Sequence, residues 1–431
     1  MREIVSSKAK WIGDVPSSWN ILQPRRLFTL RRELEHKDDI QLTPSQKYGV
    51  LPQTEYMEVT GSRVVLNLTG NTMQHVEPGD FISHLRTFQG GLELARQAGK
   101  VSPAYTVVTP RPGVNPEFFK YVLKSDGYIS QIASVTDQLR DGQSMRFPEF
   151  NQTWLPLPPT LEQQQIADYL DHETAEIDAF VEDQHKILHL VSERRWSAID
   201  RAIEQGTERV PLRRLAKYLT SGSRNWSSLL SESGDPFVRI TNISRNHVRI
   251  LSEDMEFVAG VEDAEGARAK IQMGDILMSI TADLGSVALA DESIEGGYTS
   301  QHVCLIRPNN HLADPKYVAY ALLSSKVKAQ IAEKSYGGTK IQLSLEDVRE
   351  LEIPLPPLQE QRRVAQQCED FVTTTEGLSS ELQRIIALSR ERRAALITAA
   401  VTGQIDVTAK NKPAAEQLED DVAQGLHREY A

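Results

Sequence analysis

Only 2 of the 431 residues are cysteine, too few for a disulfide framework, and Cys304 and Cys368 lie in apolar patterns without the Cys-x-x-Cys spacing of a structural zinc site. No apolar run approaches the roughly 20 residues needed to cross a bilayer. The first residues, MREIVSSKAKWIGDVPSSW, have basic groups without an apolar stretch behind them, so the expectation is a cytoplasmic protein with no membrane role. No G-x-x-x-x-G-K-[ST] loop occurs, which argues against ATP hydrolysis by this chain. A glycine-rich S-adenosylmethionine loop is missing too, as is an Asn/Asp-Pro-Pro-aromatic tetrapeptide. NPEFF, at Asn115, has one proline after its Asn and matches DPKYV further along. No metal site is read either: His185 and His189 stand four apart on a predicted helix without a third ligand. Asp314-Pro315-Lys316 is half of a nuclease D-x-K pattern, which is too common to use.

What is present has ordinary globular composition, 40% hydrophobic and 25% charged, and a length that suits two or three domains. The net charge of −11 speaks against nucleic acid until its distribution is seen. Residues 1–153 carry 18 Lys and Arg against 16 Asp and Glu, and residues 207–350 carry 17 against 19. The deficit sits in 154–206, with 4 against 11, and in 351–431, with 9 against 13.

Those acidic segments are copies of one another. LPLPPTLEQQQIA, from Leu155, returns as IPLPPLQEQRRVA, from Ile353, at an offset of 198 that still holds at Glu193-Arg194-Arg195 and Glu391-Arg392-Arg393. Upstream, PGD at Pro78 resembles MGD at Met273, SPAYTVVTP at Ser102 aligns with SQHVCLIRP at Ser300, and NPEFFKYVLKS echoes DPKYVAYALLS. The chain is a tandem duplication of about two hundred residues.

Each copy ends in a long helix. Val364, Cys368, Phe371, Thr375, Leu378, Leu382 and Ile385 step by four and three, the heptad of a helix packed along a partner. Ile166, Leu170, Ile177, Phe180 and Ile187 take the equivalent places in the first copy, with polar Glu173 and Gln184 between them. Thr160 with Gln163 fits a capping box, and the prolines before it suit an extended lead-in. A helix from about Leu161 to Ile203 measures about 65 Å at about 1.5 Å per residue. The blocks between are mixed: short β-branched runs, Gly, Asn and Asp turns, and one or two short helices. Two like helices in one chain bury their seams most simply against each other, antiparallel. A pseudo-two-fold rod with two heads suits a DNA duplex, and heads about 34–36 Å apart can enter successive major grooves.

The paired LPLPPTLEQQQIADYL and IPLPPLQEQRRVAQQC, the WIGDVPSSW stretch and the GDILMSI…SQHVCLIRP pattern resemble the specificity (S) subunit of type I restriction–modification systems, over nearly the whole chain. The resemblance implies an α+β fold with two target-recognition domains, 1–153 and 207–350, two long spacer helices within 154–206 and 351–408, and a mobile tail, 409–431. It implies no catalysis and no cofactor held by this chain. The partners it implies are double-stranded DNA, two modification (M) subunits carrying S-adenosylmethionine chemistry, and restriction (R) subunits using ATP and Mg2+. The first copy departs from the second in reading PPTLEQQ for PPLQEQR, which bears on the helix face met by each M subunit.

Candidate DNA contacts are Arg86, Gln89, Gly90 and Gly91 in SHLRTFQGG, since Arg and Gln pair with guanine and adenine edges and glycine allows close approach. A hairpin turn explains the same residues. Arg224 and Asn225 beside Trp226 form a second set, against an ordinary surface loop. Gln143, Ser144 and Arg146 match Lys340 and Gln342 in the other half, for phosphate positioning or as a structural turn. Arg194, Arg195, Arg392 and Arg393 either complement the helix dipole or dock M subunits. Two rival functions stay open: a coiled-coil adaptor that binds no DNA, and a diverged methyltransferase or nuclease.

Overall fold

The computed structural model describes residues 3–7, 9–63, 72–84, 90–135, 145–204, 208–222, 226, 229–259, 261, 264–335 and 342–407. The chain divides into two compact units, 1–183 with 385–431, and 184–384. The domains drawn along the sequence run one after another, whereas the first unit in space joins the two ends of the chain.

The first unit holds a four-stranded antiparallel sheet of β1 (Phe28–Leu30), β2 (Phe81–Ser83), β3 (Leu92–Leu94) and β4 (Val107–Pro110), in the order β1-β4-β2-β3. The short helix α1 (Pro116–Val122) follows, and then the 44-residue helix α2 (Thr160–Ile203). The second unit repeats the plan with β5 (Ala216–Ser221), β6 (Ile276–Ser279), β7 (Val287–Leu289) and β8 (Val303–Pro308), in the order β5-β8-β6-β7. Helices α3 (Pro315–Leu322) and α4 (Leu358–Val401) complete it, and α4 again has 44 residues. The duplication read from the sequence is therefore a duplication of this sheet, its short helix and its long helix, to which the second unit adds a further four-stranded sheet of Leu230–Ser231, Glu256–Val258, Asp235–Val238 and Tyr298–Thr299.

Both heads start their short helix alike. Asn115 and Asp314 are N-caps whose side chains accept backbone N–H bonds, and Pro116 and Pro315 fill the first helical position, where no N–H is required. The PGD and MGD triplets also have one explanation. Gly79 and Gly274 turn with φ of 95° and 84°, which glycine adopts without strain. Asp80 and Asp275, both buried, then accept the backbone N–H of Glu77 and Gln272 at 2.8 Å. Each carboxylate also holds an arginine through two nitrogens: Arg31 in the first head, with Thr109 adding a bond at 2.7 Å, and Arg307 in the second at 2.7 and 2.8 Å. The Asp275 carboxylate raises the Arg307 guanidinium above its ordinary pKa.

The long helices pair antiparallel. In the first unit Ile166, Ala167 and Leu170, at the start of α2, share a core with Leu396, Ile397, Ala400 and Val401, at the end of α4. In the second, Ile199, Ala202 and Ile203 share one with Val364, Ala365, Cys368 and Val372, so each start meets an end.

The seam is not the strict heptad. On α2, positions 166, 170, 174, 177, 181, 184, 188, 191, 195, 199 and 202 are buried or half-buried, and the same eleven positions shifted by 198 are so on α4. That is ten steps in 36 residues, the turn of a straight α-helix, and a 3.5-residue count drifts off it by about 20° per heptad. Phe180 and Leu378, expected inside, are therefore 47% exposed, and Ile187 is 40% exposed. Val181 and Leu188 turn inward beside them, and Ser379 replaces Leu378. Leu382 is buried. Phe371 and Ile385 are half-buried, with Val372 and Ile386 taking the buried places. Ile177 and Thr375 are half-buried on the seam.

Candidate nucleic-acid interface

Each head is fastened to its long helix by the glutamine of the repeated Glu-Gln pair. Gln163, 1% exposed, accepts the backbone N–H of Asn115 at 2.8 Å and donates to the carbonyls of Gly113 and Pro158 at 3.1 and 2.8 Å. Gln361, also 1% exposed, accepts from Asp314 at 2.8 Å and donates to Leu312 and Pro356 at 3.1 and 2.8 Å. Both ends of the amide are used, so Gln163 is committed to this clamp and does not serve the capping box expected with Thr160. The doubled proline run supplies one carbonyl of each clamp. It also supplies a strand: Leu155–Leu157 pairs antiparallel with Asn20–Leu22, and Glu352–Pro354 with Arg209–Pro211.

A second tie repeats about two turns along. The Tyr121 hydroxyl donates to Asp171 at 2.6 Å, and that of Tyr320 donates to Glu369 at 2.7 Å. Burial, and then these carboxylates, push both hydroxyls up in pKa, so they remain donors. The heads are thus held on their helices by side chains of the same kind at matching positions, while their loops differ.

Among the candidate readers, Arg86, Gln89, Gln143, Ser144, Arg224, Asn225 and Lys340 lie outside the described residues, as does the tail 409–431. Gly90 and Gly91 are buried, and their freedom is used internally. A Cβ on Gly91 would sit 2.0 Å from the Leu123 carbonyl oxygen, and one on Gly90 would collide with the Gln46 side chain. Trp226 is buried, in an edge contact with Tyr298 at 5.2 Å between ring centroids. Arg146 is exposed, and its backbone N–H donates to Glu149 at 2.9 Å, where the matching Ser344 donates likewise to Asp347 at 2.9 Å. Arg146 and Ser344 thus begin short helices, Phe147–Phe150 and Leu345–Arg349, with the buried Met145 and Leu343 just before them.

Gln342 is exposed and bridges to Thr281, whose hydroxyl meets His302 Nδ1 at 2.8 Å. Gln301 stands 3.0 Å from the other ring nitrogen of His302. Exposed Gln301 and His302 escaped the sequence reading. The one signal was that they stand where the otherwise matching SPAY has Pro103 and Ala104. Amide, hydroxyl and imidazole groups on one edge can donate to and accept from base edges.

The paired arginines are resolved as well. Helices α2 and α4 continue to Ile203 and Val401, so Arg194-Arg195 and Arg392-Arg393 are not in the last turn, and the dipole explanation fails. Arg195 and Arg393 are on the seam. Arg393 Nε lies 2.9 Å from an Asp178 carboxylate oxygen, and Arg195 faces the field of Glu376, which is Asp178 shifted by 198. Arg194 and Arg392 are exposed. The helical histidines join no three-ligand group among the described residues, and His189 rests 3.5 Å from Glu193.

Two like heads, each clamped to a long helix by a buried glutamine and a tyrosine and each carrying loops of its own sequence, form a duplicated α+β architecture. Residues 206–385 match the family described as Type I restriction modification DNA specificity domain. The chain is 21% identical over 326 residues to the type I restriction enzyme EcoBI specificity subunit of Escherichia coli, covering 68% of this chain and 66% of that one. It shares its fold, at a TM-score of 0.71 and 16% identity, with a chain from a study of complex assembly and conformational transition of the type I R-M system. That likeness covers 91% of this chain and 99% of the other. The HsdS subunit of Thermoanaerobacter tengcongensis matches at a TM-score of 0.51 and 15% identity, over 91% and 98% of the two chains. Over residues 206–385 the chain matches that specificity-domain family, and over most of its length it is similar to type I restriction enzyme specificity subunits. None of its described helices is long and apolar enough to cross a membrane.

Proposed function

We propose that the two heads read the two different halves of an asymmetric, bipartite site in double-stranded DNA, and that the helix pair sets the distance between them. The observation that carries this is the repeated glutamine clamp: identical fastening of unlike heads suits two readers held in fixed register. Each head contacts phosphates for position and bases for identity. Near-neutral heads bind weakly alone, so assembly with partners strengthens binding and its salt dependence. M subunits, two per chain, dock along the exposed helix faces, where Phe180, Glu173, Glu176 and Arg392 line one shallow hollow. S-adenosylmethionine belongs to those subunits, and ATP and Mg2+ to R subunits that join them, in the cytoplasm.

Selection of bound duplexes from a randomised pool, with the chain alone and with its co-expressed methyltransferase partner, tests the reading. The expected result is a split asymmetric motif with a fixed spacer, enriched more strongly with the partner. Absence of enrichment from a folded assembly would favour the adaptor alternative. Arg86→Ala and Gln89→Ala should each alter base preference if those side chains read; unchanged preference removes them.

A further inference from the structure

The first head contains a histidine and carboxylate cluster that the glutamine clamps do not use. Glu33, His36 and His75 each offer a donor atom, and these atoms lie within 4.8 Å of one another. His36 Nε2 is 2.9 Å from Glu33 Oε1, and the rings of His36 and His75 stack with centroids 3.9 Å apart. His75 is 2% exposed on the strand Gln74–Val76, whereas Glu33 and His36 are exposed on the segment that follows β1.

Groups behind these three orient them. Asp39 sits 2.8 Å from His75 Nδ1 and also accepts the His36 backbone N–H at 2.7 Å. A buried carboxylate on Nδ1 orients the ring, the support that metal-bound histidines use, and leaves Nε2 beside Glu77 as the nitrogen to bind an ion. Arg31 Nη1 holds the second oxygen of Glu33 at 2.8 Å, leaving the first turned to His36. Half-exposed Glu77 lies 2.9 Å from His75 Nε2 and is free to swing in as a fourth ligand or to yield to water.

We propose that the first head binds one divalent cation of the zinc class through Glu33, His36 and His75. Nitrogen and carboxylate donors in this number suit zinc better than magnesium or calcium, which take oxygen. Ligand atoms around tetrahedral zinc stand about 3.4 Å apart for bonds of about 2.0–2.1 Å, so a pair at the 4.8 Å limit closes by about 1.4 Å. The ion ties the segment after β1 to the Gln74–Val76 strand and offsets the charges of Glu33, Asp39 and Glu77. No second group of this kind occurs among the described residues.

The test uses the full chain stripped of metal by a chelator. Cobalt(II) titration should give visible bands of a low-symmetry site saturating at one equivalent and displaced by zinc, and zinc should raise the unfolding midpoint. His36→Ala and Glu33→Gln, both at exposed positions, should each weaken binding at least tenfold and abolish the zinc-induced rise, with unchanged circular dichroism without metal. His172→Ala with His189→Ala should leave both readouts intact. No stoichiometric binding by the wild-type chain, or equally tight binding by His36→Ala, overturns the proposal.

Discussion

Gln361 accepts the backbone N–H of Asp314 at 2.8 Å, as Gln163 accepts that of Asn115, 198 residues earlier on its own helix. One buried amide satisfies a donor and two acceptors at the junction of head, proline run and helix. Removing it leaves all three in a dry place. Gln361→Ala and Gln163→Ala should each cost about 2–4 kcal/mol, read as a lower midpoint in urea unfolding. A loss in one half only would show that the two joints are not equivalent.

Phe28 stands at the centre of the first head, fully buried, with the rings of Phe119, Phe150 and Phe81 at 5.4 to 5.8 Å between centroids. Phe28→Ala should cost about 3–5 kcal/mol, and Phe28→Leu much less, because cavity volume sets the loss. Calorimetry of the two variants checks the order.

Neighbouring arginines should part company. Arg393→Glu sets a carboxylate on the seam against Asp178 and should destabilise the pairing by about 1–3 kcal/mol. Arg392→Glu, at an exposed position, should change stability by less than about 0.5 kcal/mol and reduce co-purification of the M subunit. Retained co-purification would leave Arg392 without a part in docking.

Cys304 and Cys368 are free thiols, both fully buried. Burial pushes the Cys368 thiol up to about 12 and that of Cys304 higher still. Neither should react with a thiol reagent at pH 8 until the chain unfolds, and two equivalents should then appear. Rapid labelling of the native protein would contradict the packing of α4 at Cys368.

The sequence carried the duplication, both long helices and their antiparallel pairing, because a fixed offset and a helical repeat are properties of the chain itself. It placed the seam one residue away at Phe180, Phe371 and Ile385, because two periods that differ by a tenth of a residue diverge slowly. Gly90 and Gly91 had a signal whose meaning was internal, since only the fold brings Leu123 and Gln46 against them. The cluster at His36 and His75 had none: the two are 39 positions apart, and strand pairing joins them.

The division of the chain into units has a consequence for its birth on the ribosome. The second unit, 184–384, is one continuous stretch and can fold as soon as it has emerged. The first cannot finish then. Its core includes Leu396, Ile397, Ala400, Val401 and Ile405 beside Val15 and Trp19, residues made almost four hundred positions earlier. A Cβ on Gly403 would even strike Pro16 at 2.5 Å, so the turn that follows α4 closes tightly on the strand ending at Pro16. A chain broken within the last turns of α4 therefore has a complete second unit and a first unit with an open core.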